Sequence, residues 1–466
     1  MAIIDAADPA GVWDYDILHV LAGERVERLL GQGLRAGQLV AVPERPSLDL
    51  VLMQHALARS QAALLPVRDG LGPESMRALL QATGAEWIWR SEGPDGGRLV
   101  TTGCQTAGPS HGAPWPSPLA LVVETSGSGG APRAVMLTAR NLLGSAALVN
   151  RHLALGAGDA WLCCLPLRHI GGLSIPYRCA LGGAAVVLHQ GFHAEAVADD
   201  LVRHGVTHLS LVPPMLARLL DLGRPPPPGL RVVLVGGQSL SVPLAGRALE
   251  AGWPLHLTYG MTETASQVAC SDRLVVPPAV GAVGGPLPGL EIDCPACPGT
   301  PEVLKVRGPV VMAGYANPGR VPGDGLADGW LRTSDLACLD PDGVLHVLGR
   351  ADEVLVTAGV KVYPAAVEAA LTQALELGEV AVVGLPDAVW GQRLVALYTG
   401  GATPARLEAW CRARLSGPER PRAFIRCPEL PTLQSGKLDR GRLRKLAAAA
   451  LGVGSGGEES SANELK

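Results

Sequence analysis

Charge is scarce in this sequence. Only 18% of its 466 residues are Asp, Glu, Lys or Arg, and the formal net charge is -4. Without a basic surplus there is no electrostatic footprint for nucleic acid or for an anionic membrane surface. Long apolar runs are missing too, since no stretch reaches the roughly 18 residues expected of a membrane span. The first residues, MAIIDAADPAGVWDYD, carry acids where a secretory leader needs bases, so a cytoplasmic protein without membrane insertion is expected. There are ten cysteines, but the one Cys-x-x-Cys, Cys294 and Cys297, has no second ligand pair nearby to complete a zinc site. The cysteines read as reduced, mostly buried thiols. Lysine is the last scarcity: five of the 39 basic residues, which makes each lysine worth locating.

What is present points to a soluble metabolic protein. The length exceeds one hydrophobic core and predicts two or three domains. Apolar runs of strand length, QLVAVPE, LALVVE, AAVVLHQ, THLSLVPP and LRVVLVGG, are punctuated by Gly or Pro. Helical segments such as DLVLMQHALARSQAA and PLAGRALEAG lie between them. This alternation predicts α/β architecture with largely buried sheets. The texture changes after Gly349, giving an expected division into 1–349, a smaller α+β unit over 350–447 and a tail over 448–466 too poor in apolar residues to fold.

The stretch ETSGSGGAPRAVMLT, Glu124 to Thr138, follows an apolar strand and precedes a helix start at TARNLLGSAALV. Backbone N–H groups and hydroxyls collected at a strand end suit a phosphate. The loop matches neither the Walker pattern nor G-x-G-x-x-G, and a plain tight turn is as good a reading of it alone.

Its neighbours decide. In order along the chain come TSGSGGAPRAVMLT, LPLRHIGGLS, LVGGQSL, TYGMTETAS, GWLRTSDLACLDPDGVLHVLGRADEVLVTAGVKVYP and LPTLQSGKLDR. Six such motifs at this spacing closely resemble the acyl-adenylate-forming superfamily of acyl-CoA synthetases, luciferases and adenylation domains. The resemblance runs from the first third of the chain to Arg440. It implies a large N-terminal domain of stacked sheets with helices, and a small mobile C-terminal domain. It also implies ATP, Mg2+ and coenzyme A as reaction partners of a small carboxylic acid. In that family a carboxylate attacks the α-phosphate of ATP, and CoA then displaces AMP from the acyl-adenylate, so positioning and charge neutralisation carry catalysis.

The resemblance also implies site residues. Lys437 matches the lysine that bridges the substrate carboxylate and the α-phosphate. Glu263 matches the carboxylate on Mg2+, with Thr262 beside it touching the α-phosphate, and Tyr259 and Gly260 belong to the same motif. Asp335 and Arg350 match the pair on the ribose hydroxyls, and Gly236, Gly237 and Gln238 the loop against adenine. Thr125, Ser126, Gly127, Ser128 and Arg133 match the β- and γ-phosphate loop. Here the family's Thr-Ser-Gly-Thr-Thr-Gly-x-Pro-Lys-Gly has lost a hydroxyl at Gly129, while Arg133 and Ala134 replace Lys-Gly. Asp352 matches the hinge of the small domain, Gly359 the glycine beside the pantetheine arm, and His169 the lining of the acyl pocket and thiol tunnel.

The segment PLRHIGGLSIPYR, with Arg178 nine residues after His169, is similar to the branch of the family that activates o-succinylbenzoate for menaquinone biosynthesis. A second carboxylate on the acid would pair with the Arg178 fork. Three alternatives stay open at this level: a medium-chain or aryl acyl-CoA synthetase, an adenylation enzyme loading a carrier protein, and a non-catalytic nucleotide-binding homologue. A homo-oligomer is also compatible with the sequence.

Overall fold

A computed structural model describes residues 2–8, 11–91, 96–104, 118–125, 133–297, 300–316, 320, 322–374, 377–432 and 438–453. The apolar runs are strands, most of them internal to their sheets, which is why they read as continuous rather than alternating. A nine-stranded sheet runs Gly285–Pro286, Ser266–Cys270, Leu255–Met261, Val232–Val235, His208–Leu211, Ala160–Cys163, Ala185–Leu188, Ile3–Asp5, Val12–Trp13. Its middle is parallel: Leu209 lies between Val233 and Leu162, and Val235 beside Leu257. A seven-stranded sheet runs Gly314–Tyr315, Arg133–Thr138, Leu119–Thr125, Ala63–Val67, Leu39–Pro43, Trp87–Ser91, Gly97–Thr101. A smaller sheet joins Glu291–Asp293, Glu302–Arg307, Trp330–Leu339 and Leu326–Ala327, with Leu345–Arg350 also paired to Trp330–Leu339.

One buried cluster binds these three sheets together, taking Val40, Leu64 and Leu121 from the seven-stranded sheet, Trp161, Val186 and Val232 from the nine-stranded one, and Leu304, Val306 and Leu331 from the third. The helices Leu48–Arg59 and Ala139–Leu153 contribute Leu50, Met53, Leu142 and Val149 to the same cluster. Two further clusters lie wholly within residues 355–451, on a five-stranded sheet of Leu355–Thr357, Val360–Val362, Leu377–Asp387, Gly391–Gly400 and Ala423–Arg426. The α/β class and the large-plus-small organisation are as expected. Among the described residues no helix is long and apolar enough to cross a membrane.

Three expectations change. The Gly-rich stretch does not lead straight into a helix: Arg133–Thr138 is a strand antiparallel to Leu119–Thr125, so the loop closes a β-hairpin. The helix starts at Ala139, capped by Thr138, where it was expected, but at the far end of that six-residue strand. Its N-terminal dipole therefore does not serve the loop. Nor are all the cysteines reduced: Cys297 and Cys338 form a disulfide with Cα atoms 5.5 Å apart. The reason is local pairing, since Cys297 N donates to Leu339 O (2.8 Å) and Leu339 N to Pro295 O (2.9 Å), laying Cys297 beside the end of Trp330–Leu339. The helix Arg440–Ala450 runs past residue 447, because Leu443 and Ala447 pack under the small sheet and the last turn follows.

Candidate active site

Three chain reversals at strand ends carry the candidate residues. The first is the hairpin, whose last register pair is Thr125 with Arg133, and Thr125 Oγ1 donates to the Arg133 carbonyl at 3.0 Å. Ser126, Gly127 and Ser128, with Gly129, lie outside the described residues. Glu124, just before them, is raised in pKa by burial, against the opposing pull of Arg68 and Arg168. Those two arginines were not singled out from the sequence, because only the folded sheet brings residues 68 and 168 to this strand end.

The second reversal follows Val232–Val235, at the carboxyl end of a parallel strand, where open α/β sheets bind ligands. A Cβ on Gly236 would lie 2.6 Å from Thr258 Cγ2, and Gly237 has φ +78, so both positions need glycine. Gln238 continues the turn. The bare backbone there offers a flat surface.

The third reversal is the turn Thr262–Thr264, which returns Leu255–Met261 into Ser266–Cys270 and puts Thr262 and Glu263 at its tip. The strands approach so closely that a Cβ on Gly260 would sit 1.7 Å from the Ser266 carbonyl oxygen. Ala265 and Ser266 take φ +50 and +121, left-handed values that cost a side-chain-bearing residue free energy and mark an over-determined turn.

Around the tip the carboxylates are held by phenols. Tyr315 Oη donates to Glu263 Oε1 at 3.0 Å, and Tyr259 Oη donates to Asp335 Oδ2 at 2.6 Å. Burial, then the Asp335 carboxylate, push Tyr259 well above its ordinary pKa, so it stays protonated and donating. Burial and the Glu263 carboxylate push Tyr315 up to about 12 with the same result. Asp335 faces Arg350 across the strand pair, with Nη1 to Oδ1 at 3.8 Å. Arg350 in turn donates from Nε and Nη2 to the two oxygens of Asp352 at 2.9 and 3.0 Å. The guanidinium carbon of Arg133 lies 5.0 Å from the centroid of the Tyr315 ring.

Among the described residues no three His, Cys, Asp or Glu side chains form a metal cage. The donor set nevertheless fits Mg2+, which is held by one or two carboxylates and completes its shell with phosphates and water. Glu263, a hard oxygen donor with no cationic partner among the described residues, is suited to it.

The residues expected on the acyl side belong to the helix Ile170–Gly182, with His169 at its N-cap. Arg178 is 1% exposed, an uncommon state for a guanidinium. Its Nη2 donates to Ser266 Oγ at 2.8 Å and its guanidinium carbon lies 5.2 Å from the Trp161 ring centroid. Its Nε has no partner, no carboxylate pairs with it among the described residues, and its other neighbours include the buried thiols Cys163, Cys179 and Cys270. Burial lowers its pKa to about 10, which leaves it cationic at neutral pH. Ser266 and Tyr315 escaped the sequence reading; a tyrosine is a visible signal in a chain with six, but its partner is 52 residues away.

The structure thus gathers Thr125 and Arg133; Glu263; and Tyr259, Asp335, Arg350 and Asp352 around adjoining strand ends. Gly359 stands apart in the turn between Leu355–Thr357 and Val360–Val362, with φ +77 and nothing within 4 Å of a notional Cβ. Lys437 lies outside the described residues.

The AMP-binding enzyme family model matches residues 13–316, and the AMP-binding enzyme C-terminal domain model residues 366–437. The chain is 32% identical over 447 residues to a 2-succinylbenzoate--CoA ligase of Bacillus cereus, covering 92% of each chain. It is 35% identical over 339 residues to the ligase of the same name in Bacillus velezensis, covering 71% of this chain and 70% of that one. Among solved structures it resembles o-succinylbenzoate CoA synthetase from Bacillus subtilis in complex with the acyl-adenylate intermediate, at TM-score 0.81 and 27% identity over 100% of this chain and 96% of that one. The same synthetase with ATP and magnesium ion matches at TM-score 0.81 and 27% identity, covering 95% and 96%.

Proposed function

This chain belongs to the AMP-binding enzyme family, and from that premise we propose that it is an ATP-dependent ligase joining o-succinylbenzoate to coenzyme A through an acyl-adenylate, with release of pyrophosphate and AMP. The observation that carries the identity of the acid is Arg178, a buried guanidinium without an anionic partner among the described residues. A buried cation is costly to maintain unless a carboxylate arrives to pair with it. The distal carboxylate of o-succinylbenzoate supplies that partner; a monocarboxylic acid does not.

Each remaining residue takes the task that the motif match assigns to it. Glu263 would hold Mg2+, which would supply charge screening to the phosphates. Arg133 and Thr125 flank the loop that receives the β- and γ-phosphates, and Gly236 and Gly237 give adenine a surface free of side chains. Asp335, oriented by the Tyr259 phenol, accepts from the ribose hydroxyls, while Arg350 donates to them. With ATP fixed in this way the acid's reacting carboxylate attacks the α-phosphorus and pyrophosphate leaves. Lys437 neutralises the charge that develops there. Turning of the small domain about Asp352 then replaces Lys437 by the Gly359 hairpin, and the CoA thiol displaces AMP from the acyl carbon, with His169 lining the approach.

The test is ATP–pyrophosphate exchange over a panel of acids, comparing wild type with Arg178→Ala. The variant is expected to raise the KM for o-succinylbenzoate at least tenfold, about 1.4 kcal/mol, and to leave a monocarboxylic analogue within twofold. A wild type indifferent to the second carboxylate would assign the chain to the medium-chain or aryl synthetases instead.

A further inference from the structure

Tyr315 stands where two parts of the nucleotide site meet, and nothing in the motif pattern gives it a task. It belongs to a two-residue edge strand, Gly314–Tyr315, paired with the strand that begins at Arg133: Tyr315 lies opposite Val135 and Gly314 opposite Met136. Ala313 N and Ala316 N donate to Met136 O and Ala134 O at 2.9 and 2.6 Å. Just upstream, Met312 N donates to the Glu263 carbonyl at 2.8 Å. The segment 312–316 is therefore a strap between the hairpin that carries Arg133 and the turn that carries Glu263.

From the strap, the Tyr315 side chain repeats the same link. Its hydroxyl donates to Glu263 Oε1 at 3.0 Å, and its ring lies against the Arg133 guanidinium with 5.0 Å between guanidinium carbon and ring centroid. The ring is held in place: a Cβ on Gly325 would be 2.6 Å from Tyr315 Cδ2 and Cε2, so the returning chain passes directly against it, and φ +81 at Gly325 admits little but glycine.

We propose that Tyr315 is a positioning residue for adenylation, fixing the Glu263 carboxylate for Mg2+ through its hydroxyl and the Arg133 guanidinium for the phosphates through its ring. This rests on the roles given above to Glu263 and Arg133. The chemistry favours a phenol over a cation here. A neutral donor orients one oxygen of Glu263 without cancelling the negative charge that attracts the metal, and leaves the other oxygen for coordination. The aromatic face also suits the arginine at 133, since a planar guanidinium can rest on a ring and still offer donors to oxygen ligands.

The two halves of the proposal separate by substitution. Tyr315→Phe keeps the ring and removes the hydroxyl; Tyr315→Leu removes both. Two readouts apply: the Mg2+ concentration for half-maximal ATP–pyrophosphate exchange, and the increment in Tm that Mg2+ adds to ATP-bound protein without turnover. Tyr315→Phe is expected to raise the Mg2+ requirement roughly fivefold, the order that one hydrogen bond contributes, and to shrink the Mg2+-dependent increment in Tm. Its KM for ATP at saturating Mg2+ stays within about twofold. Tyr315→Leu should also raise that KM, and its effect should not add to that of Arg133→Lys. Wild-type Mg2+ dependence in Tyr315→Phe by both readouts overturns the proposal, and that variant decides alone if the leucine variant does not fold. Glu263→Gln separates the premise from the inference: it should abolish the Mg2+-dependent increment, and if it does not, the metal role of Glu263 fails and the task of Tyr315 fails with it.

Discussion

Arg350 grips Asp352 with two parallel hydrogen bonds, 2.9 and 3.0 Å long, while facing Asp335 at 3.8 Å. The cation assigned to the ribose and the carboxylate assigned to the hinge are thus one ion pair, set in the turn Ala351–Glu353. Any rotation about residue 352 has to carry this fork along or break it.

Asp352→Pro should slow the thioester half-reaction far more than adenylation, because proline fixes φ at the pivot. Acyl-AMP is expected to accumulate in rapid-quench samples. Asp352→Ala removes the fork but leaves φ free and serves as the control. Equal slowing by both substitutions would move the cause from backbone rotation to the ion pair.

Lys437→Ala should abolish adenylation and largely spare thioester formation from supplied acyl-adenylate, since the ammonium is needed only while charge develops on the α-phosphate. Separate single-turnover assays of the two halves check this, and equal loss in both would reject the assignment.

Arg178→Met should leave Tm at pH 7 unchanged or raised while weakening use of the dicarboxylic acid. Replacing a buried, unmatched charge by an apolar chain of similar length relieves its desolvation, and burial is what lowers the Arg178 pKa to about 10. A fall in Tm of several degrees would show that the guanidinium holds the fold together.

The Cys297–Cys338 bond closes a separation of 41 residues, for which chain entropy gives about 4 kcal/mol. Dithiothreitol should lower the denaturation midpoint of the wild type and leave a Cys297→Ser, Cys338→Ser double variant unaffected. Equal response of both proteins would place the effect elsewhere.

Acid should destabilise the fold through its buried histidines. Burial lowers the pKa of His55, His208 and His256 below the ordinary 6.5. Between the folded values and 6.5 the unfolded chain binds more protons than the folded one. Their contribution is therefore complete above 6.5 and drains away as pH falls from there through the folded-state values. Calorimetry at pH 7.5 and 5.5 should show Tm falling, less steeply in His208→Gln, because His208 is fully buried and bonded through Nε2 to Leu153 O at 3.2 Å.

Local order carried most of the architecture. Runs such as LALVVE and LRVVLVGG are strands because they are apolar on both faces. The short strand Arg133–Thr138 is hard to see because its last residue, Thr138, is also a helix cap with a capping box to Asn141, so no turn signal separates strand from helix. The disulfide was hidden for another reason: Cys297 reaches Cys338 only through pairing with the Leu339 backbone, which no spacing rule encodes. Motif matching named the charged residues of the site, Glu263, Asp335 and Arg350. It passed over Tyr315 and Ser266, which bond Glu263 and Arg178 through tertiary contacts, and over the phenol-to-carboxylate bond of Tyr259, a residue it did name.

The hairpin from Leu255 to Cys270 has a bearing on how such a protein could change its diet. Glu263 sits at its tip, and Ser266, three residues on, anchors Arg178. Across the hairpin from Ser266, Gly260 admits no side chain, and Ser266 itself holds a φ of +121. A lineage or an engineer retuning acid preference through this strand would be pulling on the metal carboxylate at the same time. Changes on the helix Ile170–Gly182 that spare the bond from Arg178 to Ser266 put less load on the turn that carries Glu263.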